Sequence, residues 1–226
     1  MMRRIVIKLS GRVFGDNDVY SLRDYIDIFG AINDVQPIIV AGGGATARHY
    51  INRARASGAD ESTLDELGIE VSRLNAKLLI CAAGDRAYPH VPLTLADVQT
   101  ATASGLMVLS GGLYPGQSTN GTAALIAERV GASIFLNATD VDGVYDSDPN
   151  VNKDAKIFKT ITISKLQDIL INNTSVAGGY DLMDIIALKT IQRSSIQTRI
   201  IRATPSNLKN MLQGKQTDMG TLILPD

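Results

Sequence analysis

The chain has 226 residues, 45% of them hydrophobic, with 22 basic side chains against 23 acidic ones and a formal net charge of −1. So even a balance provides no overall field for a nucleic-acid backbone or an anionic membrane, and the densest basic cluster, Arg48, Arg53 and Arg55, is confined to one short segment. The length fits one compact domain, and no Ser/Pro-rich linker, repeat or low-complexity tract divides it.

The first residues, Met1 to Lys8, carry two arginines and then only Ile5-Val6-Ile7 before the lysine, far short of a signal peptide's apolar core. The chain is expected to start directly into a strand, in which Ile5, Ile7 and Leu9 alternate with Val6 and Lys8 until Ser10-Gly11 halts the run. Ser21 and Asp24 have capping-box spacing, and Leu22, Tyr25, Ile26, Ile28 and Phe29 recur at helical intervals. A second strand, 37–41, meets Gly42-Gly43-Gly44 and a helix from about Ala45. Asp60 to Ala83 reads as a long helix with Leu64, Leu67, Val71, Leu74 and Leu78 as its apolar stripe. Cys81 lies near its end; a single cysteine cannot form an internal disulfide, fits a reducing compartment, and is expected to be a small buried hydrophobe.

Pro89 and Pro92 break the chain, and a helix from about Ala96 leads to a strand over 106–109 that runs into Gly111-Gly112. A helix is expected over 119–130, a strand over 133–137, and a charged, turn-rich loop from Thr139 to Asp154 that is too polar for the core. The tail reads as helix 182–194, strand 198–202, helix 205–212 and strand 221–224. The charge-free stretch from Val98 to Ala127 is long enough to cross a bilayer, but its five glycines and a proline, with many Ser and Thr, argue against lipid. Short strands alternating with longer helices specify an α/β fold, a three-layer α/β/α sandwich with a mostly parallel central sheet. Ligands are expected where strand carboxyl ends meet helix amino ends.

Four loops on that edge are unusual: 8–11, 41–45, 110–119 and 137–149. Glycine lets backbone N–H groups approach an anion, and a following helix adds unsatisfied donors and the positive end of its dipole. Gly-x4-Gly-Lys-Ser/Thr is absent. Gly42 to Ala47 fits the loose dinucleotide pattern but lacks the acid about 20 residues on at a strand end, and Asp140, Asp142, Asp146 and Asp148 lack the glycine spacing of a calcium loop. Lys8, at the end of a buried strand and on the face opposite Ile5, Ile7 and Leu9, must snorkel or meet an anion. Its ammonium suits a transferring phosphoryl group, where positioning and electrostatics do most of the catalysis.

Lys8-Leu-Ser-Gly11, the triple glycine 42–44 with Arg48, Asp65-Glu-Leu-Gly68, Gly111 to Thr119 and Ala138 to Pro149 occur in that order. The set, which covers nearly the whole chain, resembles the amino acid kinase superfamily, and within it the uridylate kinases of the archaeal type. The resemblance implies that ATP phosphorylates UMP, with Mg2+ held mainly through the nucleotide phosphates, in a cytoplasmic homohexamer of pyrimidine synthesis under allosteric control by UTP. It implies an acceptor lobe of about 1–135 and an ATP lobe of about 136–226 sharing one sheet.

Carried over, Lys8 and Asp140 are catalytic, Asp140 by orienting the lysine. Lys8, Leu9, Ser10, Gly11, Gly44, Arg48, Thr139, Tyr145 and Asp148 face ATP. Gly43, Asp65 and the run Leu113, Tyr114, Pro115, Gly116, Gln117, Ser118 and Thr119 face UMP. No residue is assigned as a direct metal ligand. Chemically, Asp65 can accept from ribose hydroxyls and Arg48 can grip phosphate bidentately. UMP is largely a dianion at neutral pH, so no general base is required, and His49 and His90 are read as structural or surface residues. Asn120 stands where many uridylate kinases have aspartate, and Asp184 falls roughly where acetylglutamate kinases place a second catalytic lysine. Left open are a non-catalytic nucleotide sensor or storage protein on the same fold, and a related kinase with another small acceptor.

Overall fold

The computed structural model describes residues 2–15, 18–32, 34–147, 152–173, 182–215 and 218–226. Seven strands, β1 (Arg3–Leu9), β2 (Val35–Ala41), β3 (Val108–Ser110), β4 (Ile134–Thr139), β5 (Thr160–Thr162), β6 (Gln197–Arg202) and β7 (Thr221–Leu224), form one sheet in the order β3-β2-β1-β4-β6-β7-β5. Every pairing is parallel except β6 with β7. The helices are α1 (Leu22–Gly30), α2 (Gly44–Ala56), α3 (Glu61–Ala83), α4 (Leu95–Ala103), α5 (Thr119–Val130), α6 (Ile163–Asn173), α7 (Ile185–Ser194) and α8 (Pro205–Leu212).

The two-residue period of β1 sorts the layers. Ile5, Ile7 and Leu9 join a core with Tyr25 and Phe29 of α1, Leu79 of α3 and Leu208 of α8. Val6 joins the opposite core with Val98 of α4, Ala123 and Ile126 of α5, Leu166 of α6, and Leu188 and Ile191 of α7. The sandwich therefore has three layers, as the alternation of elements requires. Ser21 and Asp24 form the reciprocal capping box that their spacing predicts, and Thr94 and Asp97 form a second one at α4.

The topology fixes where a ligand can enter. The chain builds outward from β1 through β2 to β3, then α5 carries it back to β4 on the other side of β1. The carboxyl ends of β1 and β4, in register from Ile5 with Ile134 to Leu9 with Ala138, flank the reversal and open a crevice there.

Several expectations are corrected. On α3, Leu64 and Val71 are buried, but Leu74 and Leu78 are 57% and 46% exposed and Cys81 is exposed too. The inward face instead carries Ile69, Ser72, Asn75, Ala76 and Leu79. Two registers of apolar residues coexist on this helix, and the small and polar one packs against the sheet because glycine loops there admit no bulk. The loop after β4 is part core: Val141 and Val144 are buried in the same cluster as Ile161 and Ile223. The pair β5 and α6 has no counterpart among the expected elements. α7 starts at Ile185 rather than 182, because Asp184 caps it, and β3 sits two residues late, at Val108.

Candidate active site

The Ser10-Gly11 turn and the triple glycine meet backbone to backbone. A Cβ on Gly11 would lie 2.1 Å from the Gly44 nitrogen, and one on Gly44, at φ +65°, would lie 2.2 Å from the Gly11 carbonyl oxygen. No side chain fits between them, so glycine is required at both positions. The seam is tied by Gly42 N–H to the Leu9 carbonyl at 2.9 Å and by Ser10 N–H to the Ala138 carbonyl at 2.9 Å. α2 begins at Gly44 with no side-chain cap, which leaves its first N–H groups on this seam, and exposed Arg48 follows one turn later.

A cleft of about 500 Å³ opens over the seam. Ser10, Gly11, Arg48, Thr139 and Asp140 line it, as does Arg12, which the sequence reading did not assign. Lys8 does not line this cleft; it is 9% exposed and paired in register with Val40 on β2 and Asn137 on β4. Strand neighbours in register share a face, so Lys8 and Asn137 point to the same side, toward the layer of α5 and α7. Asn137 Nδ2 donates to the Leu182 carbonyl, which fixes the amide's orientation and leaves its buried Oδ1 without a partner. The buried Oδ1 of Asn120, in the first turn of α5, is also unpartnered.

The carboxylate of Asp140 accepts from the Thr139 hydroxyl at 3.0 Å and pairs with Arg12 at 2.9 Å. Farther along the loop, Asp142 takes a two-point contact from Arg202, at 2.7 and 3.1 Å. Arg202 holds the Asp142 carboxyl below the ordinary carboxylate range. The Tyr145 hydroxyl donates to Asp142 at 3.4 Å, and partial burial, with Asp142 adding to it, raises the phenol above its usual value. Tyr145 does not line the cleft, although Arg202, next to it, does. Asp148 lies outside the described residues. Leu9 is wholly buried, so only its backbone is available to a ligand.

On the other side of the seam, α3 holds the 111–119 loop. A Cβ on Gly111 would lie 2.6 Å from the Arg73 nitrogen, so strand end and helix touch through backbone. Ser72 Oγ accepts from Gly112 N–H at 2.7 Å, and Arg73 donates to the carbonyls of Gly112 and Leu113 at 3.1 and 3.2 Å. Asn75 donates to the Gly42 carbonyl at 2.8 Å and links α3 to the triple glycine. Asp65, one face along the same helix, accepts from Gly116 N–H at 2.7 Å.

Gly43 faces this region, its missing Cβ covered by Ala47 and the Gly68 carbonyl. Tyr114, Pro115 and Gly116 are exposed, Gln117, Ser118 and Thr119 half-buried, and the Leu113 side chain belongs to the core. Ser118 caps α5 and donates to Asp184, whose carboxylate also accepts from Gly121 N–H at 3.0 Å and Ala187 N–H at 2.8 Å. Asp184 therefore ties α5 to α7. Sequence reading missed Ser72, Arg73 and Asn75; the available signal was two polar residues, Ser72 and Asn75, at helical spacing with Ile69, Ala76 and Leu79.

A mostly parallel sheet with a glycine-lined anion crevice and a buried lysine at its switch point defines a phosphate-handling α/β protein. The model of the amino acid kinase family matches residues 3–202, and the chain belongs to that family. It is similar to the uridylate kinase of Sulfolobus acidocaldarius, 40% identical over 227 residues covering 99% of this chain and 100% of that one. The uridylate kinase of Methanothermobacter thermautotrophicus is likewise 40% identical, over 99% and 100% of the two chains. The crystal structure of uridylate kinase from Archaeoglobus fulgidus superimposes with a TM-score of 0.86 at 35% identity, covering 97% of this chain and 99% of that one. Among the described residues, no helix is long and apolar enough to cross a membrane.

Proposed function

We propose that this chain transfers the terminal phosphoryl group of ATP to UMP, yielding UDP and ADP, in the synthesis of pyrimidine nucleotides. An oxygen of the UMP phosphate attacks the γ-phosphorus, and the bond from that phosphorus to the β,γ-bridging oxygen breaks, leaving ADP. The arrangement that carries the reading is the Gly11–Gly44 seam at the β1–β4 switch. Ser10 and Arg48 lie on its donor side, Asp65 with the 113–119 loop on its acceptor side, and Lys8 at the end of β1 between them.

In this reading the protein aligns two polyanions and cancels their repulsion. Lys8, rising from a desolvated strand end, acts on the transferring group, where a charge is worth more than in water. Ser10, Gly11, Gly44 and Arg48 hold the ATP phosphates, and Leu9 contributes backbone alone. Thr139 and Tyr145 border adenosine. Gly43 receives the UMP phosphate. Asp65 receives the ribose hydroxyls, and residues 113–119 wrap the nucleoside.

Mg2+ would ride on the nucleotide phosphates. Among the described residues no group of three or more His, Cys, Asp or Glu gathers to hold an ion unaided. The cleft nonetheless offers the Asp140 carboxylate beside the Ser10-Gly11 turn, and that donor set fits a cation ligated chiefly by phosphate oxygens. Bound there, the cation would neutralise charge on the polyphosphate.

Residues up to about 135 form the acceptor side and residues from about 136 the ATP side, a division supported by the reversal of strand order between β1 and β4. The protein works in the cytoplasm as a homo-oligomer, a hexamer by its resemblance. The exposed apolar row Leu74, Leu78 and Cys81 supports self-association, since contiguous exposed apolar surface marks a contact site. The deciding experiment is a coupled assay with UMP, CMP, AMP and carbamate as acceptors. UMP is expected to exceed the others by at least about tenfold in kcat/KM, and equal turnover of carbamate or a carboxylate would refute the assignment. A nucleotide sensor would show no turnover with any of them.

A further inference from the structure

None of the roles set out above involves Arg12, yet it lines the cleft on the donor side. It lies in the 3-10 turn over Gly11–Phe14, directly after Ser10-Gly11, and its guanidinium Nη2 is 2.9 Å from Asp140 Oδ2 across the cleft. We propose that Arg12 is a donor-nucleotide-binding residue that exchanges partners, passing from Asp140 to the polyphosphate of the nucleoside triphosphate and so freeing the Asp140 carboxylate.

Three features of the site support the exchange. The Arg12 side chain is 70% exposed and that of Asp140 is 36% exposed, and an ion pair this open to water contributes little, so parting it costs little. The backbone of Arg12 is held while its side chain keeps its reach, since its N–H donates to Ser10 Oγ at 3.4 Å, within the turn expected to touch phosphate. A polyphosphate offers more charge and more paired oxygens than one carboxylate, and a guanidinium grips such pairs bidentately.

The charge balance of the cleft is consistent with such a movement. Its lining carries Arg12, Arg48 and Arg202 against Asp18 and Asp140. Arg202 is committed to Asp142 through two contacts, which leaves Arg12 and Arg48 as the guanidinium groups able to follow an incoming anion. If Arg12 stayed on Asp140, one of those two cations would be spent on a carboxylate at the site where phosphate charge accumulates. Once released, Asp140 can turn toward Lys8 or a cation on the phosphates, the two roles open to it in the proposed reaction, on which this inference rests.

The test is calorimetric titration of the full chain with ADP, with and without Mg2+, and with UMP separately, alongside steady-state kinetics. Arg12→Ala should weaken ADP binding about tenfold or more, leave UMP binding within about twofold, and raise KM for ATP more than it lowers kcat. Arg12→Lys should recover part of the loss. Asp140→Asn should tighten metal-free ADP binding several-fold, and that gain should vanish in the Arg12→Ala background. ADP affinity within twofold of wild type for Arg12→Ala, or a gain from Asp140→Asn that survives without Arg12, would overturn the exchange. Should Arg12→Ala fail to fold, Arg12→Gln keeps the stem and is read in the same way. A wild-type chain that binds ADP through Arg12 but does not phosphorylate UMP would sink the acceptor assignment and leave the exchange standing.

Discussion

The carboxylate of Asp65 accepts a hydrogen bond from the backbone N–H of Gly116 at 2.7 Å, across 51 positions of sequence. One contact therefore joins the helix α3 to the loop assigned to the acceptor nucleoside. Gly116 adopts φ +76°, a left-handed turn that aims its N–H at the helix. Asp65 retains a second oxygen, the atom a ribose hydroxyl would use. Asp65→Asn keeps the shape, removes the charge and turns one acceptor into a donor. Charge-assisted hydrogen bonds contribute roughly 1.5–3 kcal/mol, so KM for UMP should rise about ten- to hundredfold with KM for ATP unchanged. An equal rise in both would show that Asp65 acts only as a structural tie.

Lys8 is buried at a strand end with its neighbours fixed in register, so its loss should be read in turnover rather than in folding. Lys8→Ala is expected to lower kcat by roughly 10²–10³ while nucleotide binding, followed by calorimetry, stays within a few-fold. Lys8→Arg should rescue little, because a planar guanidinium does not fit the ammonium's place.

Gly44→Ala and Gly58→Ala make a matched pair. Both positions have positive φ, +65° and +86°, but an added Cβ meets the Gly11 carbonyl at 2.2 Å in the first and open space in the second. Gly58→Ala should cost only the left-handed strain of about 1–2 kcal/mol. Gly44→Ala should cost more, lower the melting temperature further and weaken ADP binding, since the two loops must part.

Asp184 shows how structure can reassign an acid. It faces Ser118 and Gly121 at the start of α5 and Ala187 at the start of α7, so it serves two helix amino termini at once. Removing one cap costs about 1 kcal/mol, and losing both ties in Asp184→Ala should cost about 2–3 kcal/mol in chemical denaturation. KM for UMP should rise as well, because Ser118 and Thr119 lose their support. Asp184→Lys, the residue type of the acetylglutamate kinases, should be worse than Ala, since it places a cation at two positive dipole ends.

Arg202 depresses the Asp142 carboxyl, so the pair's contribution is complete above the unfolded value of about 3.9 and is lost as pH falls through the lower folded value. The side chains are about half exposed, 45% and 52%, which screens the gain to about 0.5 kcal/mol. Arg202→Ala should bring the Asp142 titration midpoint, followed by carboxyl NMR, up toward 3.9. A midpoint unmoved by the substitution would mean that Arg202 is not the cause.

How much of this was legible in the chain follows from the range of each interaction. The alternation at Ile5 to Leu9, the capping box at Ser21 and Asp24 and the Pro205 helix start are local, and local spacing fixed the α/β class and most element boundaries. The placement of Lys8 on the face opposite Ile5, Ile7 and Leu9 was equally local, as was the glycine pattern that marked the anion loops. What failed was long-range. The inward face of α3 was misread because its apolar leucines compete with a small and polar register, and only contact with Gly42, Gly111 and Gly112 decides which one packs. β5 and α6 went unread because a three-residue strand acquires its identity from pairing with β7.

The sequence by itself determined that short buried strands alternate with helices and that glycine-rich turns end them beside one lysine, because periodicity and backbone freedom are properties of neighbours in the chain. Tertiary structure alone decided that Arg12 meets Asp140, that Asp65 meets Gly116, and that Asp184 bridges two helices. Those contacts form only when the strand order reverses between β1 and β4 and brings distant loops to one edge of the sheet.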